Sequence, residues 1–158
     1  MALNSKQDTA GSVTAPVLIF FLPLAIGIAL YNLSPLGLIT EGWLRFTIGL
    51  PVIVIAILLN GWAGTTLANS GTSPEWNKPA KLIVKHGPFK YSRNPQYVSL
   101  FILYLGIAIL FNALWSVLFL PVVLLVMILG VVKREERYLE QKFGEEYLSY
   151  KKQVRRWL

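Results

Sequence analysis

Two short stretches hold polar side chains whose types and spacing suit chemistry. The first is His86-Gly87-Pro88-Phe89-Lys90-Tyr91-Ser92-Arg93-Asn94-Pro95-Gln96-Tyr97. Gly87-Pro88 is a turn pair. Asn94-Pro95 is a helix start, with Asn94 as N-cap and Pro95 at the first helical position. A helix beginning there offers free N–H groups and the positive end of its dipole to an anion. Arg93 stands just before it, so a carboxylate can be held by both. The competing reading is an interfacial loop, with Arg and Lys on lipid phosphate and tyrosines in an aromatic belt. The second stretch is Lys133-Arg134-Glu135-Glu136-Arg137. Adjacent carboxylates are unusual where an apolar run ends, since acids do little for membrane topology. Glu136 and Glu140 are one helical turn apart and share a face. The competing reading is a solvated charged helix held by local pairs.

These stretches must be positioned by apolar elements. The chain has 158 residues, 54% of them hydrophobic, and a mean hydropathy of +0.54. Soluble domains are roughly 45–50% apolar. The excess lies in residues 16–64 and 97–132, which carry almost no charge. That is the pattern of segments whose solvent is lipid. The predicted architecture is all-α, an integral membrane bundle of about four transmembrane helices. The first span runs from Pro16 to Leu33, about 27 Å at helical rise. The second covers 43–60, with Trp43 and Trp62 at the two interfaces. Residues 97–111 and 114–132 form a tight hairpin interrupted only by Asn112. Residues 1–15 are expected to be a disordered or surface-lying tail, and Glu41 is placed to pair with Arg45. A single membrane domain over 1–158 is expected, with a two-span part at 1–64 and a ligand-binding core at 65–158.

Charge sets the orientation. The net charge is +7, and the connection at 65–96 with the tail from Lys133 holds thirteen of the fifteen Lys and Arg. Two spans separate these regions, so they share a side, and the positive-inside rule makes it cytoplasmic. Both termini follow. In the tail, Tyr147, Tyr150, Val154 and Trp157 recur at helical spacing with cations between them, which reads as an amphipathic helix lying on the membrane.

The composition also excludes. There is no cysteine, which removes disulfides and thiolate chemistry, and a single histidine, which removes a multi-histidine metal site. No metal is expected. No glycine-rich phosphate loop and no nucleic-acid recognition module is present, so nucleic acid is not an expected partner.

The ordered set Gly87-Pro88-Phe89, Arg93-Asn94-Pro95, Tyr97, an apolar hairpin, Glu135-Glu136, Phe143-Gly144-x-x-Tyr147-x-x-Tyr150 and Val154-x-Arg156 resembles the integral-membrane methyltransferases. These are the isoprenylcysteine carboxyl methyltransferases and their phospholipid N-methyltransferase relatives. The resemblance covers roughly the C-terminal half, from about Lys81. It implies an S-adenosylmethionine site on the cytoplasmic face and a lipophilic methyl acceptor arriving from membrane lipid. Carried over by position, the site residues are His86, Gly87, Pro88, Phe89, Tyr91, Arg93, Pro95, Tyr97, Glu135 and Glu136, with Arg93, Glu135 and Glu136 assigned to catalysis. The family often has His where this chain has Asn94, and Gly where it has Ser99. Arg93 suits the cofactor carboxylate. Glu135 or Glu136 suits its ammonium or ribose. Phe89, Tyr91 or Tyr97 suits the adenine or the sulfonium. Two alternatives stand beside this reading. One is a sterol-reductase-type enzyme using NADPH, its 2′-phosphate met by Lys81, Lys85 and Lys90. The other is a non-catalytic lipid-binding protein.

Overall fold

A computed structural model describes residues 16–40, 42–73 and 78–158, and all of its regular elements are helical. The first helix, α1 (Pro16–Leu33), has the predicted bounds. The second, α2 (Leu44–Asn69), runs nine residues past the predicted end at 60. The hydroxyls of Thr65, Thr66 and Ser70 explain the extension. Each folds back onto a carbonyl one turn earlier, at 2.7–2.8 Å, so the polar sequence stays helical. Ala63 and Leu67 also pack under Val84 and Phe89, which gives this end of α2 a buried face. Trp62 therefore lies inside the helix rather than beyond it. The expected tail at 1–15 and the Glu41 pairing lie outside the described residues.

After a loop and a 3-10 turn (Gly87–Lys90), α3 (Pro95–Leu110) begins at the predicted proline. Helix α4 (Leu114–Met127) continues through a π-helical turn (Ile128–Val132) into α5 (Lys133–Phe143). Gly144, at φ +53°, breaks the chain into α6 (Glu145–Gln153). Helix α1, helix α2 and the continuous helix Leu114–Phe143 have the length and apolarity to cross a membrane; α3, at 16 residues, is a shorter apolar helix. The chain is an integral membrane helical bundle. Large apolar side chains such as Leu22, Ile55, Leu58, Val122 and Leu125 point outward, as lipid-facing positions do.

The bundle pairs α2 with α3 and α1 with α4. Small residues permit both crossings, because lipid offers helices no hydrophobic drive to associate and close backbone approach must supply the attraction. A Cβ on Gly106 would stand 3.0 Å from the backbone nitrogen of Ile53, and one on Gly49 would stand 3.1 Å from the Gly106 carbonyl. A Cβ on Gly27 would run into the Ser116 backbone. The α3–α4 turn exists as expected, yet each of these helices packs mainly on another partner, α3 on α2 and α4 on α1. Phe20, Leu24, Tyr104, Ala108, Val123 and Met127 fill the centre between them.

Asn112, the lone polar interruption, proves to be a staple. It sits at φ +56°. Its Oδ1 accepts from the Leu38 and Ile39 backbone at 2.7 and 2.8 Å, and its Nδ2 donates to the Ile39 carbonyl at 3.0 Å. Leu114 N and Trp115 Nε1 donate to the same turn, at Leu36 and Ser34. Both short turns are thereby fastened together at one end. The start of α1, the end of α2, the start of α3 and the charged helices gather at the other.

Candidate active site

The polar end is built around the loop that precedes α3. Gly87 has φ +59°, and a Cβ there would lie 2.9 Å from Thr66 Oγ1, so only glycine lets the loop lie this close to α2. Phe89 is thereby buried against Ala63 and Leu67. Tyr150 of α6 donates its hydroxyl to the Phe89 carbonyl at 2.7 Å. Ser92, Arg93 and Asn94 then bind the segment after α6. Arg93 N donates to the Arg155 carbonyl at 3.0 Å, while Ser92 Oγ and Asn94 Nδ2 donate to the Arg156 carbonyl at 3.3 and 3.0 Å.

Asn94 occupies the N-cap position but its side chain makes no cap bond; it reaches the tail instead. The aromatic face of the tail is turned into the protein rather than onto the membrane. Helix α6 ends at Gln153, and Val154 is extended. Tyr147 and Tyr150 are buried in the protein, and Trp157 packs edge-on against Phe101 with centroids 5.8 Å apart. The aromatic spacing marks a face turned inward, because the loop before α3 supplies polar partners that the bilayer cannot, the Phe89 carbonyl for Tyr150 and the Arg93 guanidinium for Tyr147.

The two chemical stretches meet as a result. Tyr97 donates its hydroxyl to Glu135 Oε1 at 2.5 Å. Glu136 is 6% exposed, accepts from the Arg156 guanidinium and forms an ion pair with that of Arg93. Arg156 Nε and Nη2 reach its two oxygens at 2.9 and 2.8 Å, and Arg93 Nη1 reaches Oε1 at 3.0 Å. Arg93 Nη1 also lies 3.4 Å from the Tyr147 hydroxyl. The hydrogen bond to Glu136 holds Arg156 further into its charged form. Burial pushes the Tyr147 phenol up to about 12, so it stays protonated. The Arg93 side chain is 7% exposed, yet its Nε has no hydrogen-bond partner. A buried donor left unpaired costs about 1–3 kcal/mol, which makes this atom the natural seat for an acceptor.

Arg93 is one of the residues lining a cavity of about 330 Å³. Its walls come from the start of α1, α2, residues 72–73 and 78–84, the approach to and start of α3, α5 and α6. Among the sequence-predicted residues, Phe89, Arg93, Pro95, Tyr97, Glu135 and Glu136 line it. His86, Gly87, Pro88 and Tyr91 do not. Tyr91 is 62% exposed, and His86 Nε2 lies 3.4 Å from Ser70 Oγ on the outer side of the loop. Gly87 and Pro88 shape the turn that carries Phe89. Ser99 is also absent from the lining; its hydroxyl folds onto the Gln96 carbonyl at 2.6 Å. Sequence reading passed over Asn60, Gln96, Tyr147 and Tyr150 as lining residues, and gave Arg156 no role. A cation in a Val-x-Arg tail carries no local sign of its partner twenty residues earlier. Among the described residues, no group of His, Asp and Glu is arranged to hold a metal ion.

The profile of the phospholipid methyltransferase family matches residues 44–146. The match takes in α2, further toward the amino terminus than the motifs alone reach. An uncharacterized protein of Haemophilus influenzae is 41% identical over 63 aligned positions, which cover 35% of this chain and all of that protein. The protein-S-isoprenylcysteine O-methyltransferase of Schizosaccharomyces pombe is 37% identical over 73 positions, covering 46% of this chain and 31% of that enzyme. This chain thus spans about a third of the yeast enzyme. No solved structure matches. With a profile match over more than half its length, and the paired Arg and Glu stretches joined at one end of a membrane bundle, the chain belongs to the phospholipid methyltransferase family of membrane methyltransferases.

Proposed function

We propose that this protein transfers a methyl group from S-adenosylmethionine to a lipophilic acceptor, a hydrophobic carboxylate or a phospholipid amine, that enters the cavity from the bilayer. The observation that carries the reading is Arg93, buried with its Nε unpartnered, among the residues lining a mostly apolar cavity with Tyr97 and Glu135. The donor set fits the cofactor. Arg93 Nε takes the carboxylate, and Glu135 takes the ammonium or a ribose hydroxyl. Phe89 and Tyr97 are the aromatic surfaces for the adenine and the sulfonium. S-adenosylmethionine supplies a methyl carbon on a sulfonium, open to in-line attack.

The remaining work belongs to the protein. Leu67, Leu82, Val84, Leu100 and Leu139 wall the cavity and suit an apolar acceptor. A carboxylate acceptor is already nucleophilic. For an amine, Glu135 is the group placed to take the proton. Glu136 meets Arg93 and Arg156 and so holds cations in place instead of meeting substrate.

The NADPH reading finds less support. Lys81, Lys85 and Lys90 were its phosphate site, but none of them lines the cavity, and Lys85 pairs with Glu146 at 2.9 Å. Calorimetry of the protein in lipid nanodiscs tests the choice. Heat with S-adenosylmethionine and S-adenosylhomocysteine is expected, along with transfer of labelled methyl into lipid. A signal with NADPH alone would overturn the proposal.

A further inference from the structure

We infer that Arg156, outside the family-matched segment, is a positioning residue that leaves the charge of Arg93 available to a cofactor carboxylate. The inference rests on the cofactor reading above. Glu136 is buried between two guanidiniums. Arg156 faces it squarely, with Nε and Nη2 on its two oxygens. Arg93 meets it through Nη1, 3.0 Å from Oε1, while its Nε is unpaired and the residue lines the cavity. The cluster of two guanidiniums and one carboxylate therefore carries one positive charge in excess. Removing Arg156 cancels that excess. Glu136 would then turn its whole charge, and a second oxygen, toward Arg93, and an arriving carboxylate would meet a neutral pair. Buried charges of opposite sign satisfy each other first, because neither is otherwise compensated.

Arg156 is held for this task by its backbone. Ser92 and Asn94, on either side of Arg93, both donate to its carbonyl. The Arg93 amide donates to Arg155, and Trp157 anchors the segment on Phe101. The three residues that lead into α3 thus fix where the second guanidinium stands.

The test uses two ligands that differ by the amino-acid group that bears the carboxylate. S-adenosylhomocysteine carries the amino-acid group, and 5′-methylthioadenosine lacks it. Affinities are measured by calorimetry on the full chain in nanodiscs. Arg156→Gln should weaken S-adenosylhomocysteine roughly ten- to a hundredfold, the loss of one charge-assisted contact, and leave 5′-methylthioadenosine within about twofold. Arg156→Lys should recover part of the loss, since an ammonium lacks the planar fork. Arg156→Gln combined with Glu136→Gln restores the excess charge and should bind S-adenosylhomocysteine better than Arg156→Gln alone. Equal weakening of both ligands would mean that Arg156 merely holds the fold, and unchanged affinity would mean that it does nothing for the site; either overturns the inference. A parent protein that binds neither ligand would remove the cofactor reading itself.

Discussion

The Tyr97 hydroxyl and Glu135 Oε1, 38 residues apart in sequence, lie 2.5 Å from each other. The contact ties the first turn of α3 to the first turn of α5 and aims the Glu135 carboxylate along the cavity wall. Tyr97→Phe keeps the ring and removes that tie. A hydrogen bond to a charged group is worth about 1.5–3 kcal/mol. Methyl transfer should fall roughly tenfold or more, and the thermal midpoint should drop by roughly a few degrees. Measuring both on one preparation checks this; parental turnover would show that Glu135 needs no orientation.

Glu136 has a different burden. Glu136→Ala leaves Arg93 buried with its nearest carboxylate gone. Breaking a buried pair by removing one partner typically costs about 3–5 kcal/mol. The variant should therefore melt well below the parent in detergent. Lys151→Ala serves as the control, since its pair with Glu140 lies near the surface and such pairs are worth about 0–1 kcal/mol. Similar melting shifts in the two variants would refute the difference in burial.

Orientation is open to direct labelling, because the chain has no cysteine of its own. Leu36 is exposed at the end where the short turns meet, and Asn69 and Ser149 are exposed at the site end. With the site end cytoplasmic, Leu36→Cys should react with an impermeant thiol reagent in intact cells, while Asn69→Cys and Ser149→Cys should react only after permeabilisation. The opposite pattern would invert the arrangement.

The α2–α3 crossing should tolerate no side chain at its centre. Gly106→Leu forces bulk into a space where even a Cβ stands 3.0 Å from the Ile53 backbone. The helices must part, and the loop bearing Phe89 and Arg93 moves with them. Monodisperse yield in detergent should drop sharply. Gly61→Leu, at a position with nothing within 4 Å, should behave like the parent.

The spans were legible because apolar runs announce themselves, and the start of α3 because Asn94-Pro95 is local punctuation. Arg93 and the Glu135-Glu136 pair were legible as unusual polar groups at the edges of apolar runs. What failed had a common cause: its determinants lie far away in sequence. The extension of α2 depends on hydroxyls that bond backward and on a loop that packs over it. The inward turn of Tyr147, Tyr150 and Trp157 depends on partners at 89, 93 and 101. Periodicity gives a helix its apolar face, and it is silent on whether lipid or protein covers that face. Asn112 shows the same limit, since nothing around it in sequence points to Leu38 and Ile39.

The brevity of α3 has a consequence for the membrane itself. Its 16 residues rise about 24 Å, against a hydrocarbon layer of about 30 Å. Its neighbour α2 has 26 residues and spans about 39 Å. A short helix with a charged start draws the headgroup plane inward, and each ångström of mismatch costs a fraction of a kcal/mol. Around the Arg93 end the bilayer should therefore thin, bringing lipid headgroups down to the cavity rather than requiring an acceptor to climb out of the membrane. Turnover measured across vesicles of increasing acyl length should then peak in the thinner bilayers and decline as the chains lengthen, so that membrane thickness acts as a rheostat on the enzyme.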